Sequence, residues 1–190
     1  MVNLVFLPAT EPGDATYGGV PERISGLREV SIHTIQYQHL VWYNKSVRAE
    51  AVAQIHALNV SPIVLVGFSE SGLGAWNIAR EIPDLIEATI IFDAPVARRK
   101  LPPWQTAPFY DSDESWREDL PLDTMKSFLT NVLDPHRLVL LSGIGFHDEM
   151  CQLSDELKKN GYAHVFLPGP DREHRWDSGW VEEGLKKVVE

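Results

Sequence analysis

Short apolar runs alternate along the chain with longer stretches in which apolar residues recur every three or four positions. The short runs are rich in β-branched and aromatic residues, which is typical of strands, and several are apolar at consecutive positions, which indicates burial on both faces. This alternation predicts an α/β fold with a mostly parallel sheet and crossover helices. The predicted strands are Asn3–Leu7, Ser31–Gln36, Ile63–Gly67, Thr89–Asp93, Leu138–Ser142 and His164–Leu167.

Three of the longer stretches carry an apolar stripe with helical spacing. The first ends before Pro62, the second ends at Gly161 after two lysines, and the third has Ser178 as its candidate N-cap. Proline, glycine and lysine at helix ends and serine at helix starts are the signals that delimit helices. The stripes consist of Val47, Ala51, Ile55 and Leu58; of Met150, Leu153 and Leu157; and of Val181, Leu185 and Val188.

The segment 94–121 departs from this alternation. It contains five prolines, and it carries Trp104, Phe109 and Trp116 among acidic residues. Loops longer than about 12 to 15 residues are usually functional or disordered, and aromatic side chains in a loop need a surface to pack against. We therefore predict that 94–121 is a lid or loop insertion over a pocket, within a single domain spanning 1–190. A merely structural excursion is the alternative.

Acidic residues outnumber basic ones by 27 to 17, which gives the chain a formal net charge of −10. Such a charge repels nucleic-acid backbones and anionic membrane surfaces. The one dense basic cluster, Arg98-Arg99-Lys100, is interpreted as a solvated surface loop. We therefore expect neither nucleic acid nor a membrane among the partners.

The single cysteine, Cys151, excludes an internal disulfide and favours a reducing compartment. The N-terminal stretch has no Lys or Arg ahead of its short apolar run, and no apolar run reaches the roughly 18 residues of a membrane helix. These observations predict a cytoplasmic protein. No group of Cys and His residues has the spacing of a metal site, so neither a metal nor another cofactor is expected.

The candidate site begins where the third predicted strand runs directly into a helix. Ser69 occupies this turn, and the residues two positions before and after it, Gly67 and Ser71, are both small. In such a turn the serine hydroxyl is raised clear of the sheet, and small neighbours allow the backbone to pass closely. The helix start also supplies free backbone N–H groups beside Ser69. A serine in this position is otherwise most often an N-cap.

The string Gly67-Phe68-Ser69-Glu70-Ser71 resembles the GxSxG nucleophile elbow of the α/β-hydrolase family, with Ser71 in place of the second glycine. The resemblance implies an open, mostly parallel six-stranded sheet of order 2-1-3-4-5-6, with helices on both faces and without the first two of the family's eight strands. It also implies that Ser69 is the nucleophile of a catalytic triad, followed along the chain by an acid and then a histidine.

Residues that match the acid and the histidine stand just beyond later strands. Asp148 follows the fifth strand and a glycine-containing loop, and it is the preferred acid. Asp93, after the fourth strand, and Glu149 are its rivals. His174 lies between the last strand and the last helix, and Trp176 follows it by two residues, as is common in the family. These positions share the edge where open α/β sheets bind their ligands.

The same resemblance implies an oxyanion hole. The backbone N–H groups of Glu70 and of Ala9, or alternatively of Thr10, are the expected donors to a developing oxyanion. The expected pocket residues are Phe68, Trp104 and Trp176.

Together these residues predict a serine hydrolase that cleaves an ester-like bond of a small-molecule substrate through an acyl-enzyme. Thioesterase or peptidase action on the same triad is an alternative, and so is a non-catalytic binding protein that keeps the fold and the pocket. A substrate panel separates the enzymes from one another. Labelling with a fluorophosphonate separates an activated serine from a binding protein.

Overall fold

A parallel sheet forms the centre of the computed structural model, which describes residues 2–9, 30–37, 42–102 and 109–189. Its strands are β1 (Val2–Phe6), β2 (Val30–Thr34), β3 (Ile63–Phe68), β4 (Ile86–Phe92), β5 (Arg137–Leu141) and β6 (Val165–Leu167). They lie in the order β2-β1-β3-β4-β5-β6, and every neighbouring pair is parallel. Each predicted strand is found with its ends shifted by at most three residues, and the order that the resemblance implies is confirmed.

Helices connect the strands and cover the sheet. They are α1 (Lys45–Leu58), α2 (Glu70–Glu81), α3 (Asp113–Arg117), α4 (Pro121–Asn131), α5 (His147–Lys159) and α6 (Trp180–Val189), with a short 3₁₀ turn at Pro83–Leu85. The three predicted stripes lie on α1, α5 and α6, and their residues are buried except for the half-buried Leu58. Ser178 is not the cap of α6: it lies two residues before the helix, and its hydroxyl donates to the carbonyl of Arg175 at 3.0 Å.

The sheet is buried on both faces. Residues of α1, α2, α4 and α5 pack against one face, and residues of α6 pack against the other. In β3, Ile63 and Leu65 belong to the first layer, whereas Val64 and Val66 belong to the second. A strand covered in this way needs apolar residues at successive positions, and all six residues of β3 are buried. This burial holds the carboxyl end of β3 in place, directly before Ser69.

The segment 94–121 is described only in part, since 103–108, with Trp104, lies outside the described residues. Trp116 on α3 is 1% exposed, and its ring centroid is 5.9 Å from that of Trp42. Leu73, in the first turns of α2, belongs to the same apolar cluster. The described part of the segment is therefore packed on the helix that follows Ser69, and its action as a lid stays a prediction.

A buried ion-pair network fixes the end of this segment. The guanidinium of Arg48, which is 3% exposed, pairs with the carboxylate of Asp119 and, at 2.8 Å, with that of Glu81. Asn77 of α2 donates its side-chain N–H to the carbonyl of Asp119 at 2.8 Å. The network thus joins α1, α2 and the chain before α4, and it holds buried charges that are costly without their partners.

Replacing Asp119 by Ala is expected to lower the free energy of unfolding by about 3 kcal/mol, because the buried Arg48 loses a carboxylate partner. Urea unfolding of the two proteins measures the difference. The control is Asp155→Ala, which removes an exposed ion pair to Lys158 and should change the free energy of unfolding by about 0.5 kcal/mol or less. Equal effects of the two substitutions would contradict the role assigned to the network.

Candidate active site

Ser69 lies in a strained turn between β3 and α2. Its backbone angles are φ 53° and ψ −124°, and its side chain makes no capping hydrogen bond to the helix. Its backbone N–H donates to the carbonyl of Phe92 at 3.0 Å. A non-glycine residue at positive φ costs about 1 to 3 kcal/mol and persists where the surroundings hold it in place. The hydroxyl of Ser69 is therefore not used as an ordinary N-cap.

Small neighbours make this turn possible. A Cβ on Gly67 would lie 2.3 Å from the carbonyl oxygen of Ser71, so no larger residue fits there. Ser71 is fully buried, and its Oγ accepts from the N–H of Phe68 at 2.7 Å and donates to the carbonyl of Phe68 at 2.9 Å. The serine that replaces the second glycine of the motif therefore stabilises the turn.

Asp93 stands beside Ser69 at the end of the neighbouring strand. The register of β3 and β4 pairs Phe68 with Phe92, and the two rings stack with centroids 5.5 Å apart. Asp93 also has a positive φ, 43°. Among the described residues, the non-glycine positions with positive φ are Asn59, which caps α1, Ser69 and Asp93. Backbone strain is thus concentrated at two adjacent strand ends, as is usual at functional sites.

The carboxylate of Asp93 is fully buried and receives four hydrogen bonds. Three come from backbone N–H groups of the loop after β5: Gly143 and Phe146 donate to Oδ1 at 2.8 Å, and Gly145 donates to Oδ2 at 2.9 Å. Nδ1 of His174 is 2.6 Å from Oδ2. Burial raises the pKa of Asp93, but the hydrogen bonds from His174, Gly143 and Phe146 outweigh it, so the pKa lies below its ordinary value.

Two glycines allow the loop after β5 to approach Asp93. A Cβ on Gly143 would lie 2.7 Å from Oδ2 of Asp93, and a Cβ on Gly145 would lie 2.8 Å from the same atom. The Gly145 Cβ would also lie 2.6 Å from Nδ1 of His174. Side chains at these positions would separate the carboxylate from its donors.

The ring of His174 lies between the Asp93 carboxylate and aromatic side chains. Its centroid is 4.5 Å from that of Phe68 and 5.6 Å from that of Phe146, and its side chain is 26% exposed. Because an ionised carboxylate can only accept, Nδ1 carries the hydrogen toward Asp93. Nε2 is then the nitrogen that can accept a proton, and the ring stands over Phe68, the residue before Ser69.

No family model matches the sequence, and no curated protein matches it. Solved structures do match. The fluorophosphonate-binding serine hydrolase F of Staphylococcus aureus aligns with 99% of this chain and 83% of its own, at 12% sequence identity and a TM-score of 0.68. Est1E from Butyrivibrio proteoclasticus aligns with 99% of this chain and 85% of its own, at 13% identity and a TM-score of 0.60. An alpha-beta hydrolase from Vibrio vulnificus aligns with 76% of this chain and 54% of its own, at 14% identity and a TM-score of 0.54.

The chain has the α/β-hydrolase fold. Within this fold the structure corrects the choice of acid, because His174 is paired with Asp93 and not with Asp148. Asp148 is exposed in the first turn of α5. Glu149, the other rival, accepts from the backbone N–H groups of Ala97 at 2.9 Å and of Arg98 at 3.0 Å. The loop after β5 therefore supplies hydrogen-bond donors to the carboxylate of Asp93, directly after β4, and Asp148 is not the partner of His174.

Two of the three predicted pocket residues lie in the core of the α/β-hydrolase fold. Phe68 is 0% exposed and Trp176 is 5% exposed, and both belong to the apolar layer beneath α6. Phe68 contacts the His174 ring, and Trp176 packs against Phe68 with ring centroids 4.9 Å apart. Their contribution to a pocket stays a prediction. Trp104 lies outside the described residues, as does Thr10.

The predicted oxyanion donors lie at the ends of neighbouring strands. Glu70 is the first residue of α2, directly after Ser69. Ala9 is 8% exposed and follows β1, which is hydrogen-bonded to β3. Their backbone N–H groups belong to the same edge of the sheet as Ser69, and their role as donors stays a proposal.

The described residues contain no group of three or more His, Cys, Asp and Glu side chains that could hold a metal ion. Of the helices in the described ranges, none is both long and apolar enough to cross a bilayer.

Sequence reasoning missed Phe146, the third backbone donor to Asp93, and the two glycines Gly143 and Gly145. Their signal was the spacing Gly-x-Gly directly after the fifth strand, which indicates a backbone approached closely by another group. The sequence pattern alone relates this loop to Asp148, whereas in the structure its backbone N–H groups hold Asp93.

Replacing Asp93 by Asn is expected to lower the stability of the protein in a pH-dependent way. Because the folded-state pKa of Asp93 is depressed, its ionisation stabilises the fold above the ordinary aspartate pKa of about 3.9, and this contribution is lost as the pH falls through the folded-state value. The difference in unfolding free energy between the wild type and the variant should therefore be largest near neutral pH and shrink below about pH 3.9. Urea unfolding at pH 7, 5, 4 and 3 measures it, and a difference that stays constant over this range would contradict the assignment.

Proposed function

We propose that the protein is a serine hydrolase that cleaves carboxylic esters, with Ser69 as nucleophile, His174 as base and Asp93 as the acid that orients the base. The observation that carries this proposal is the 2.6 Å hydrogen bond from Nδ1 of His174 to buried Asp93, beside a strained serine at the same sheet edge. The likeness in fold to structures that include a fluorophosphonate-binding serine hydrolase supports it.

In the first half of the reaction, Oγ of Ser69 attacks the ester carbonyl while Nε2 of His174 takes the hydroxyl proton. The tetrahedral intermediate collapses, its C–O bond to the alcohol breaks, and His174 returns the proton to the leaving alcohol. In the second half, His174 takes a proton from water while the water oxygen attacks the acyl carbonyl. The second tetrahedral intermediate then collapses, its bond to Oγ of Ser69 breaks, and His174 returns the proton to Oγ as the carboxylic acid product leaves. Asp93 keeps its charge throughout and holds the imidazole in the required tautomer.

The oxyanion of each tetrahedral intermediate would bind to the backbone N–H groups of Glu70 and Ala9. Glu70 stands at the start of α2, where the positive end of the helix dipole favours a negative charge. Donors of this kind act where charge develops, and losing one costs on the order of 3 to 4 kcal/mol of transition-state stabilisation.

Thioesters and peptide bonds react with the same three residues. We choose esters over amides because an alcohol leaves with less assistance than an amine, and over thioesters because a ferulic acid esterase is among the solved structures of similar fold. Matched esters, thioesters and amides of one acyl group rank the three reactions directly.

Replacing Ser69 by Ala is expected to lower kcat for p-nitrophenyl acetate by about 10⁴-fold or more, because no other group in the turn can form the acyl-enzyme. The wild type should also be labelled by a fluorophosphonate in a one-to-one ratio at Ser69, and the variant should not be labelled. Ser46→Ala, at an exposed position in α1, is the matched control and should keep wild-type activity. Unchanged turnover in the Ser69 variant would remove the proposal, and a wild type that is folded but not labelled would favour a binding protein.

A second pair of variants tests the choice of acid. Asp93→Asn is expected to lower kcat by about 10³- to 10⁴-fold, because the amide no longer fixes the tautomer of His174. Asp148→Asn changes an exposed carboxylate and should alter kcat by no more than about twofold. Steady-state kinetics with p-nitrophenyl acetate compares the two. The reverse result would restore Asp148 as the acid.

A further inference from the structure

The two proposed oxyanion donors belong to different segments of the chain. The distance between their N–H groups therefore depends on a contact that joins those segments. Glu70 is part of α2 and is rigid with it. Ala9 lies beyond the end of β1, and the last hydrogen bond of that strand to β3 is from the N–H of Leu7 to the carbonyl of Val66 at 3.0 Å. The peptide unit between Pro8 and Ala9 is therefore not held by the sheet.

Tyr43 makes this connection. Its hydroxyl donates to the carbonyl of Pro8 at 2.6 Å, and the residue is 1% exposed. Its ring lies against α2, since a Cβ on Gly74 would be 2.4 Å from Cδ1 of Tyr43. A single buried side chain thus touches both the helix that carries Glu70 and the segment that carries Ala9.

We infer that Tyr43 is a positioning residue that directs the N–H of Ala9 into the oxyanion hole. The inference rests on the proposed function. The carbonyl of Pro8 and the N–H of Ala9 belong to one planar peptide unit, in which they point in opposite directions. A hydrogen bond that fixes the carbonyl on one side therefore fixes the direction of the N–H on the other side.

Tyr43 is itself held firmly enough to serve this purpose. Its backbone carbonyl accepts from Arg48 at 2.8 Å and from the hydroxyl of Tyr110 at 3.2 Å. Its ring packs edge-on against that of Tyr37, with centroids 5.9 Å apart. Burial raises the pKa of Tyr43 well above its ordinary value, so the hydroxyl keeps its hydrogen and remains a donor at any pH used in an assay.

A merely structural role and a positioning role differ in what they change. Loss of structure alone reduces the number of folded molecules and leaves the kcat of each folded molecule unchanged. A misdirected N–H weakens binding of the transition state and leaves binding of the substrate nearly intact, so kcat falls while KM does not rise.

Tyr43→Phe keeps the ring and removes the donor. We expect kcat for p-nitrophenyl acetate, expressed per active site by fluorophosphonate titration, to fall about tenfold, since the donor is misdirected and not deleted. KM should change by less than about twofold. Gly74→Ala, whose methyl group would press on the Tyr43 ring, should lower kcat in the same way.

Tyr162→Phe is the matched control. The substitution removes another buried phenol oxygen, which lacks a hydrogen-bond partner among the described residues. Tyr162 precedes β6, the edge strand on the far side of the sheet from β1. Its kcat should equal that of the wild type. A wild-type kcat in folded Tyr43→Phe or in folded Gly74→Ala would overturn the inference about Tyr43. The proposed function would still stand in that case, provided that turnover is lost in Ser69→Ala. A wild type without turnover would overturn both.

Discussion

The hydrogen bond between Asp93 and His174 is the interaction on which the rest of the site depends. A fully buried carboxylate is strongly unfavourable unless polar groups replace the water it has lost. Here three backbone N–H groups and one imidazole take that place. Because the carboxylate is held charged and fixed, the imidazole is held in one tautomer and one orientation, as its proposed role as base toward Ser69 requires.

This arrangement explains several features of the chain that would otherwise look unrelated. The positive φ of Asp93 turns its side chain from β4 toward the loop after β5, and the glycines of that loop let the backbone come close enough to donate. The stacked pair Phe68 and Phe92 fixes the two strand ends from below, and His174 rests on Phe68. Strain, glycine placement and aromatic packing thus all serve one carboxylate.

The sequence was sufficient for the sheet and for two members of the proposed triad. Runs such as Ile63–Gly67 are recognisable because burial on both faces demands apolar residues at every position, and a strand-to-helix turn with small neighbours identifies Ser69 from local constraints. Asp93 and Asp148 both follow a strand, so local pattern could not separate them. The two residues differ in their contacts with distant parts of the chain. The loop after β5 surrounds Asp93 through hydrogen bonds between residues about 50 positions apart, such as Gly143 and Asp93. The hydrogen bond from the hydroxyl of Tyr43 to the carbonyl of Pro8 also joins residues far apart in the chain, so the local sequence pattern does not predict it.

The donors that hold the Asp93 charge belong to the main chain, and this has a consequence for how the site can change. Between the two glycines, Ile144 exposes 61% of its surface, and its own N–H is bound to the carbonyl of Arg172. Its side chain contributes nothing to the charge that the loop surrounds. Evolution or protein engineering can therefore vary this exposed side chain without disturbing the hydrogen bonds that hold the Asp93 carboxylate.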